Sequence, residues 1–330
     1  RVGIVQNSML PHTWVSKGIT AAMQGQLGTA MFYLWVTAAN ALFASLIAVA
    51  LVSRGYIPAY ARAQISSAGD ARRSGRVIRA LADVLFAYLP RPQRLLASKD
   101  LRTFFRDPLQ WSQMAILLGL MSMYVSNVQR LWVDFGQSNL QTLIGFLNLT
   151  AVSLILATFI SRFVFPLISL EGQQLWLLGL LPLSRGRMVL AKFLYALTVT
   201  LLAAVGVMSV SVYRLHLPTA LAVMHVVTIA SICVGLCGMS IGMGARLPVF
   251  TERNPGRIAG GFGGTVSLLL SVALVVLSLV GVGIMSLNAG LGERFTSTML
   301  LWLVGIVGVN FTAAVSAMAV GIRHFSRMEV

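Results

Sequence analysis

The chain has 330 residues, 57% of them hydrophobic and only 10% charged, with a mean hydropathy of +0.82 and a formal net charge of +16. A soluble domain carries roughly 25% charged residues, so this chain cannot cover a water-facing surface, and lipid must be the solvent for most of it. The positive balance does not point to nucleic acid, because the excess cations sit in loops on one side, as membrane orientation demands.

The chain opens on Arg1 rather than Met, without the charged, apolar and small-residue order of a signal peptide, which reads as a processed product or a fragment. Trp14 to Leu27 has apolar residues at Trp14, Ile19, Met23 and Leu27 and is too polar to span; it predicts a helix lying along the outer interface. A bilayer core needs about 20 helical residues. Seven segments meet that length: approximately Ala30 to Val52, Trp111 to Val128, Leu140 to Phe165, Phe193 to Tyr213, Pro218 to Met243, Thr265 to Leu287 and Thr298 to Ile322. Long unbroken apolar runs argue for helices over barrel strands, so the expected fold is an all-α polytopic transmembrane bundle.

Between the first two spans, residues 54–106 hold eleven of the twenty-five Lys and Arg residues, which places this stretch in the cytoplasm. Alternating the loops from there puts twenty cations inside and five outside, giving an N-terminus outside and a C-terminus in the cytoplasm, in a multi-pass arrangement. Three parts follow: residues 1–53, an outer helix and first span that reads as the end of a preceding half; 54–98, a basic linker containing the small, polar run 66–75; and 99–330, an elbow helix followed by six spans. In the elbow, Leu101, Phe104 and Phe105 can face lipid while Lys99, Arg102 and Arg106 face headgroups.

Chemistry is sparse. No G-x-x-x-x-G-K-[ST] phosphate loop occurs, and the glycine run 260–264 has no following Lys. The four His residues and the scattered acids form no metal or hydrolase signature, so no catalytic residue, metal or cofactor is expected on this chain. Cys233 and Cys237 share a helix face and read as two small buried residues. His225 in the fifth span is an isolated histidine, and Gly235, Gly238, Gly242, Gly244, Gly281 and Gly283 read as close helix packing.

One segment stands out. Leu170 to Leu181 is twelve residues, too short to cross, with Glu171, Gln173 and Gln174 at its start and Trp176, Leu177, Leu180 and Leu181 forming an apolar face. Pro182 ends it and Ser184 can cap the next helix. It reads as a rigid cytoplasmic helix at the foot of the bundle, with polar residues pointing down.

The run FPLISLEGQQLWLLGLLPLSRGRMVLAKF, with the elbow KDLRTFFRDPLQWSQ and the loop ARLPVFTERNPGRIAGGFGG, resembles the type-2 ABC exporter permeases, in particular a bacterial subgroup of membrane subunits. The resemblance implies a dimeric or pseudo-dimeric permease, with an ABC ATP-binding subunit docked on the coupling helix 170–181. ATP and Mg would then sit on that partner, and this chain would have no ATPase site. The coupling contacts would be Glu171, Gln174, Trp176, Arg185 and Arg187. A second set would come from Arg246, Glu252, Arg253 and Arg257 in the neighbouring loop, and Lys99, Arg102, Phe104, Phe105 and Arg106 would form the elbow. Expected partners are that ATPase, a second permease half or copy, and membrane lipids, with no nucleic acid. The alternative is an ion-coupled secondary transporter or channel, sensitive to His225.

Overall fold

A computed structural model describes residues 11–65, 80–107, four positions between 111 and 119, and 138–174, 183–252, 254–288 and 297–328. Among these residues every regular element is helical, and the chain divides into two units, 1–75 and 76–330.

The first unit is a helical hairpin of α1 (Pro11–Met23) and α2 (Leu27–Ile65). Gly25 makes the turn with φ +73°, a left-handed conformation that costs a glycine little. The helices pack closely where a Cβ on Gly18 would lie 3.3 Å from Tyr33 Cβ. The apolar part of α2, Leu27–Gly55, is 29 residues long, with none of its most apolar stretch buried by protein. Leu34, Trp35, Leu42, Phe43 and Leu46 are all exposed, as a lipid-facing helix requires. The helix runs past the expected end at Val52 and through Arg54, the first cation of the basic stretch 54–106.

The second unit begins with a helical turn at 80–85 and continues through α3 (Arg91–Arg106), α4 (Ser138–Phe163), two short 3-10 turns (Phe165–Leu167 and Ser169–Gln174), α5 (Arg185–Arg214), α6 (Thr219–Arg246), the short α7 (Pro255–Gly260), α8 (Phe262–Asn288) and α9 (Ser297–Arg327). Together with α2, the helices of the α4, α5, α6, α8 and α9 segments make six long and apolar enough to cross a membrane among the described residues. The expected span Trp111 to Val128 lies almost wholly outside those residues.

Helix α6 is the centre of this unit, and its faces are covered by α4, α5, α8 and α9. Its small residues let α9 approach at backbone distance. A Cβ on Gly238 would fall 2.5 Å from Ala314 Cβ, one on Gly242 2.3 Å from the Ala317 carbonyl, and one on Gly321 2.3 Å from the Gly242 carbonyl. In lipid there is no hydrophobic drive between helices, so such close packing and interhelical hydrogen bonds hold the bundle. Asn310 of α9, fully buried, supplies one such bond from its amide to Ser278 Oγ at 2.9 Å. Cys233 and Cys237 are free and buried, each with its sulfur 3.2 Å from Thr200 Oγ1.

Candidate functional site

The elbow helix is fixed before any charge is placed. Pro90 caps α3 and Pro92 lies in its first turn, where the missing N–H costs nothing. Arg94 folds back, donating from Nε to the Phe86 carbonyl at 3.1 Å and from Nη2 to the Ala87 carbonyl at 2.6 Å. A satellite core of Ala82, Phe86, Leu89, Ala97, Leu101 and Tyr195 then clamps the 80–89 segment and α3 onto α5. The elbow thus begins at Arg91, eight residues before its expected start, and Leu101, expected to face lipid, is buried in this core.

On that footing, three distant segments bring four charges together. Asp100 of α3 is 7% exposed, Glu171 of the second 3-10 turn 8%, and Lys192 of α5 4%. Lys192 donates to Asp100 Oδ2 at 2.9 Å and Oδ1 at 3.1 Å, and also to Glu171 Oε1. Lys99, whose side chain is half-exposed, donates to Glu171 Oε2 at 2.6 Å and Oε1 at 2.7 Å, and its ammonium lies 3.7 Å from Asp100. Two cations and two carboxylates leave the cluster neutral, the condition under which buried charge is tolerated. Burial pushes the Asp100 carboxyl above its ordinary value, while Lys192 and then Lys99 pull it back.

The segment carrying Glu171 is held on both sides. Gly172 adopts φ +48° and ψ −133°, a conformation that L side chains rarely adopt, and this kink separates Glu171 from Gln173 and Gln174. Ser169 Oγ accepts a hydrogen bond from the Val249 amide at 3.0 Å, joining the turn to the loop after α6. A cavity of about 190 Å³ borders the cluster, walled mainly by Phe104, Phe159, Phe163, Leu170, Tyr195 and Val199.

The residues singled out from sequence fall in different surroundings. Glu171 turns into the bundle instead of down from it. Gln174 lies in the 3-10 turn and its side chain is outside the described residues, as are Trp176 and Arg253 entirely. Arg185 reaches across to the carbonyls of Phe325, at 3.4 Å, and Met328, tying the foot of α5 to the end of α9. Arg187 and Arg246 are exposed. Glu252 pairs with Arg257 at 3.6 Å across an exposed loop, and Asn254 caps α7 by accepting from the Gly256 amide at 2.9 Å. On the elbow, Phe104 and Phe105 meet edge to face at 5.6 Å, Arg102 is half-buried and Arg106 exposed. Ser184 stands at the N-cap of α5, but its side chain makes no capping bond. His225 is buried beside Gly145, its Nδ1 without a partner among the described groups.

Asp100 and Lys192 were missed as site residues. Lys192 stands seven residues into α5, past Arg185 and Arg187 at the helix start. An ionisable group that deep in an apolar helix needs a partner, and that was the available signal.

Fold and site define a helical membrane protein with a buried ion cluster beside an elbow helix. The whole chain, residues 1–330, matches the family described as "Putative ATP-binding cassette", and the chain belongs to that family. No curated protein matches it, and no solved structure does.

This membership corrects the resemblance drawn from the sequence. The family is one of ATP-binding cassettes, not of type-2 exporter permeases, so the assignment as a permease subunit does not stand. Nor do the expectations that this chain has no ATPase site and that ATP and Mg belong to a partner alone. The ion-coupled alternative gains nothing from the match. The glycine run 260–264 offers no phosphate cradle at its C-terminal end: a Cβ on Gly264 would lie 2.0 Å from the Ala259 carbonyl and one on Gly263 3.0 Å from Phe165 Cζ, so these two glycines are packed against protein.

Proposed function

We propose that this chain is a membrane-embedded helical component of an ABC transporter, assembled with other ABC components, and that the ion cluster carries movement from its loops into the bundle. Family membership and the six span-capable helices support the setting. The observation that carries the reading is the convergence of α3, the 169–174 turn and α5 on one buried set of charges. A displacement of the Glu171 turn cannot leave Lys192 behind without stranding buried charge, which is costly, so the elbow and α5 move with it. Arg187 in the first turn of α5, Arg246 at the end of α6 and the exposed Glu252–Arg257 pair offer polar contacts at these helix ends. The distribution of basic residues supports a cytoplasmic location for this end, with the N-terminus outside in the inner membrane.

The test uses an Arg187→Cys chain in membranes that contain the complete transporter. Cys233 and Cys237 are buried, so maleimide labelling reports position 187. The labelling rate should change on adding ATP with vanadate. A rate indifferent to nucleotide would remove the reading.

A further inference from the structure

At the end of the bundle remote from the ion cluster, four buried side chains on three helices each hold a polar atom that no protein group meets. Asn148 of α4, Ser211 of α5, and His225 and Thr228 of α6 are each at most 4% exposed. Asn148 Oδ1, Ser211 Oγ, His225 Nδ1 and Thr228 Oγ1 are all unmatched among the described groups. An unmet donor or acceptor in an apolar interior is costly, and native folds leave few of them.

These atoms gather at one junction. A Cβ on Gly145 would lie 3.2 Å from His225 Cε1, and farther along the chain Ser169 Oγ accepts from the Val249 amide, so α4 and the turns after it run parallel to α6 in one register. That register brings Asn148, one turn after Gly145, level with Thr228, one turn after His225. Helix α5 runs the other way: Thr200 meets Cys233 and Cys237, and Met208 Sδ lies 3.9 Å from Asn148 Nδ2. Ser211, one turn beyond Met208 on the same face, therefore comes level with Gly145 and His225.

Donors and acceptors are mixed at this junction. The Asn148 oxygen accepts, the two hydroxyls both give and accept, and the imidazole nitrogen does either according to its tautomer. A cation would call for acceptors only and an anion for donors only, so a neutral molecule that gives and accepts hydrogen bonds fits the set. The approach of Gly145 to His225 and Leu217 holds the helices too close for a large one.

We propose that the α4–α5–α6 junction binds ordered water, held by Asn148, Ser211, His225 and Thr228, and that this water bonds the three helices to one another. A buried water needs about two to four polar partners, and these four side chains supply them. The inference rests on helix packing and not on the transport reading, so either can fail without the other.

Hydroxyl-radical footprinting of the full chain in nanodiscs reads the site, because radiolysis of a bound water makes the radical beside the side chains that surround it. Met208 is fully buried against Asn148, whereas Met318 of α9 is 8% exposed and packs against Gly242. Met208 should nonetheless be oxidised several-fold faster than Met318. Asn148→Leu, Ser211→Ala and Thr228→Val together leave one partner, too few to hold a water, and should bring Met208 down to the Met318 rate, with the melting temperature in mild detergent checking that the triple variant is folded. A wild-type Met208 oxidised no faster than Met318 would overturn the proposal whether or not the triple variant folds. Fast oxidation of Met208 that persists in the folded triple variant would overturn it as well.

Discussion

Lys192→Met should be the most damaging single change in the ion cluster. Lys192 is 4% exposed and is hydrogen-bonded to both Asp100 and Glu171, so removing it leaves two buried carboxylates facing one remaining cation. Breaking a buried pair by removing one partner costs about 3–5 kcal/mol, because the charge left behind is uncompensated. Lys99 makes two comparably short bonds to Glu171, but its side chain is 44% exposed. Solvent screening reduces such a contribution to about 0–1 kcal/mol, so Lys99→Met should be mild. The double variant Asp100→Asn with Lys192→Met removes one charge of each sign and leaves Glu171 with Lys99. Its destabilisation should be smaller than the sum of the two single changes. Thermal and denaturant unfolding of the purified chain in mild detergent measures all four proteins. Equal costs for Lys192→Met and Lys99→Met, or strictly additive single changes, would refute the reasoning.

Gly242→Leu should disrupt the α6–α9 crossing, since even a Cβ there would overlap the Ala317 carbonyl at 2.3 Å; at least the 1–3 kcal/mol of ordinary overpacking, about that range as a floor, should appear as a fall in detergent melting temperature. Asn310→Ala removes the bond to Ser278 and should cost only about 0.6–1.7 kcal/mol, the range of interhelical hydrogen bonds in membranes, measured in the same assay. Cys233 and Cys237 should resist maleimide in the folded chain and react once it is denatured in SDS; fast labelling of the native protein would contradict the packing against Thr200.

The spans were legible because each is a local property: about 20 apolar residues in a row announce themselves without any knowledge of their neighbours. The glycines of α6 were legible as small residues, but that Gly242 would meet Ala317 and Gly321 depends on which helix lies beside it. The ion cluster was the least legible part. Glu171 was noticed for its place at the head of a short segment and assigned outward, because polar residues beside an apolar face ordinarily seek water. It turns inward because Lys99, 72 residues earlier, and Lys192, 21 residues later, neutralise it. No local pattern encodes such a pairing. The early start of the elbow at Arg91 was hidden by its charge: a helix rich in Arg reads as linker until Phe86 and Tyr195 are seen to cover its apolar side. The family was also misread, since the matching motifs were matched to one group of membrane subunits while the whole chain belongs to another family.

The most direct test of the account joins the cluster to movement. The complete transporter is reconstituted in nanodiscs with an Arg187→Cys chain, with or without Asp100→Asn and Lys192→Met, and both forms are checked for folding. ATP turnover and maleimide labelling at position 187 are then followed together. The account predicts that turnover continues in both, and that the labelling response to ATP is lost when the cluster is dismantled. A response that survives in the Asp100→Asn, Lys192→Met chain would contradict it.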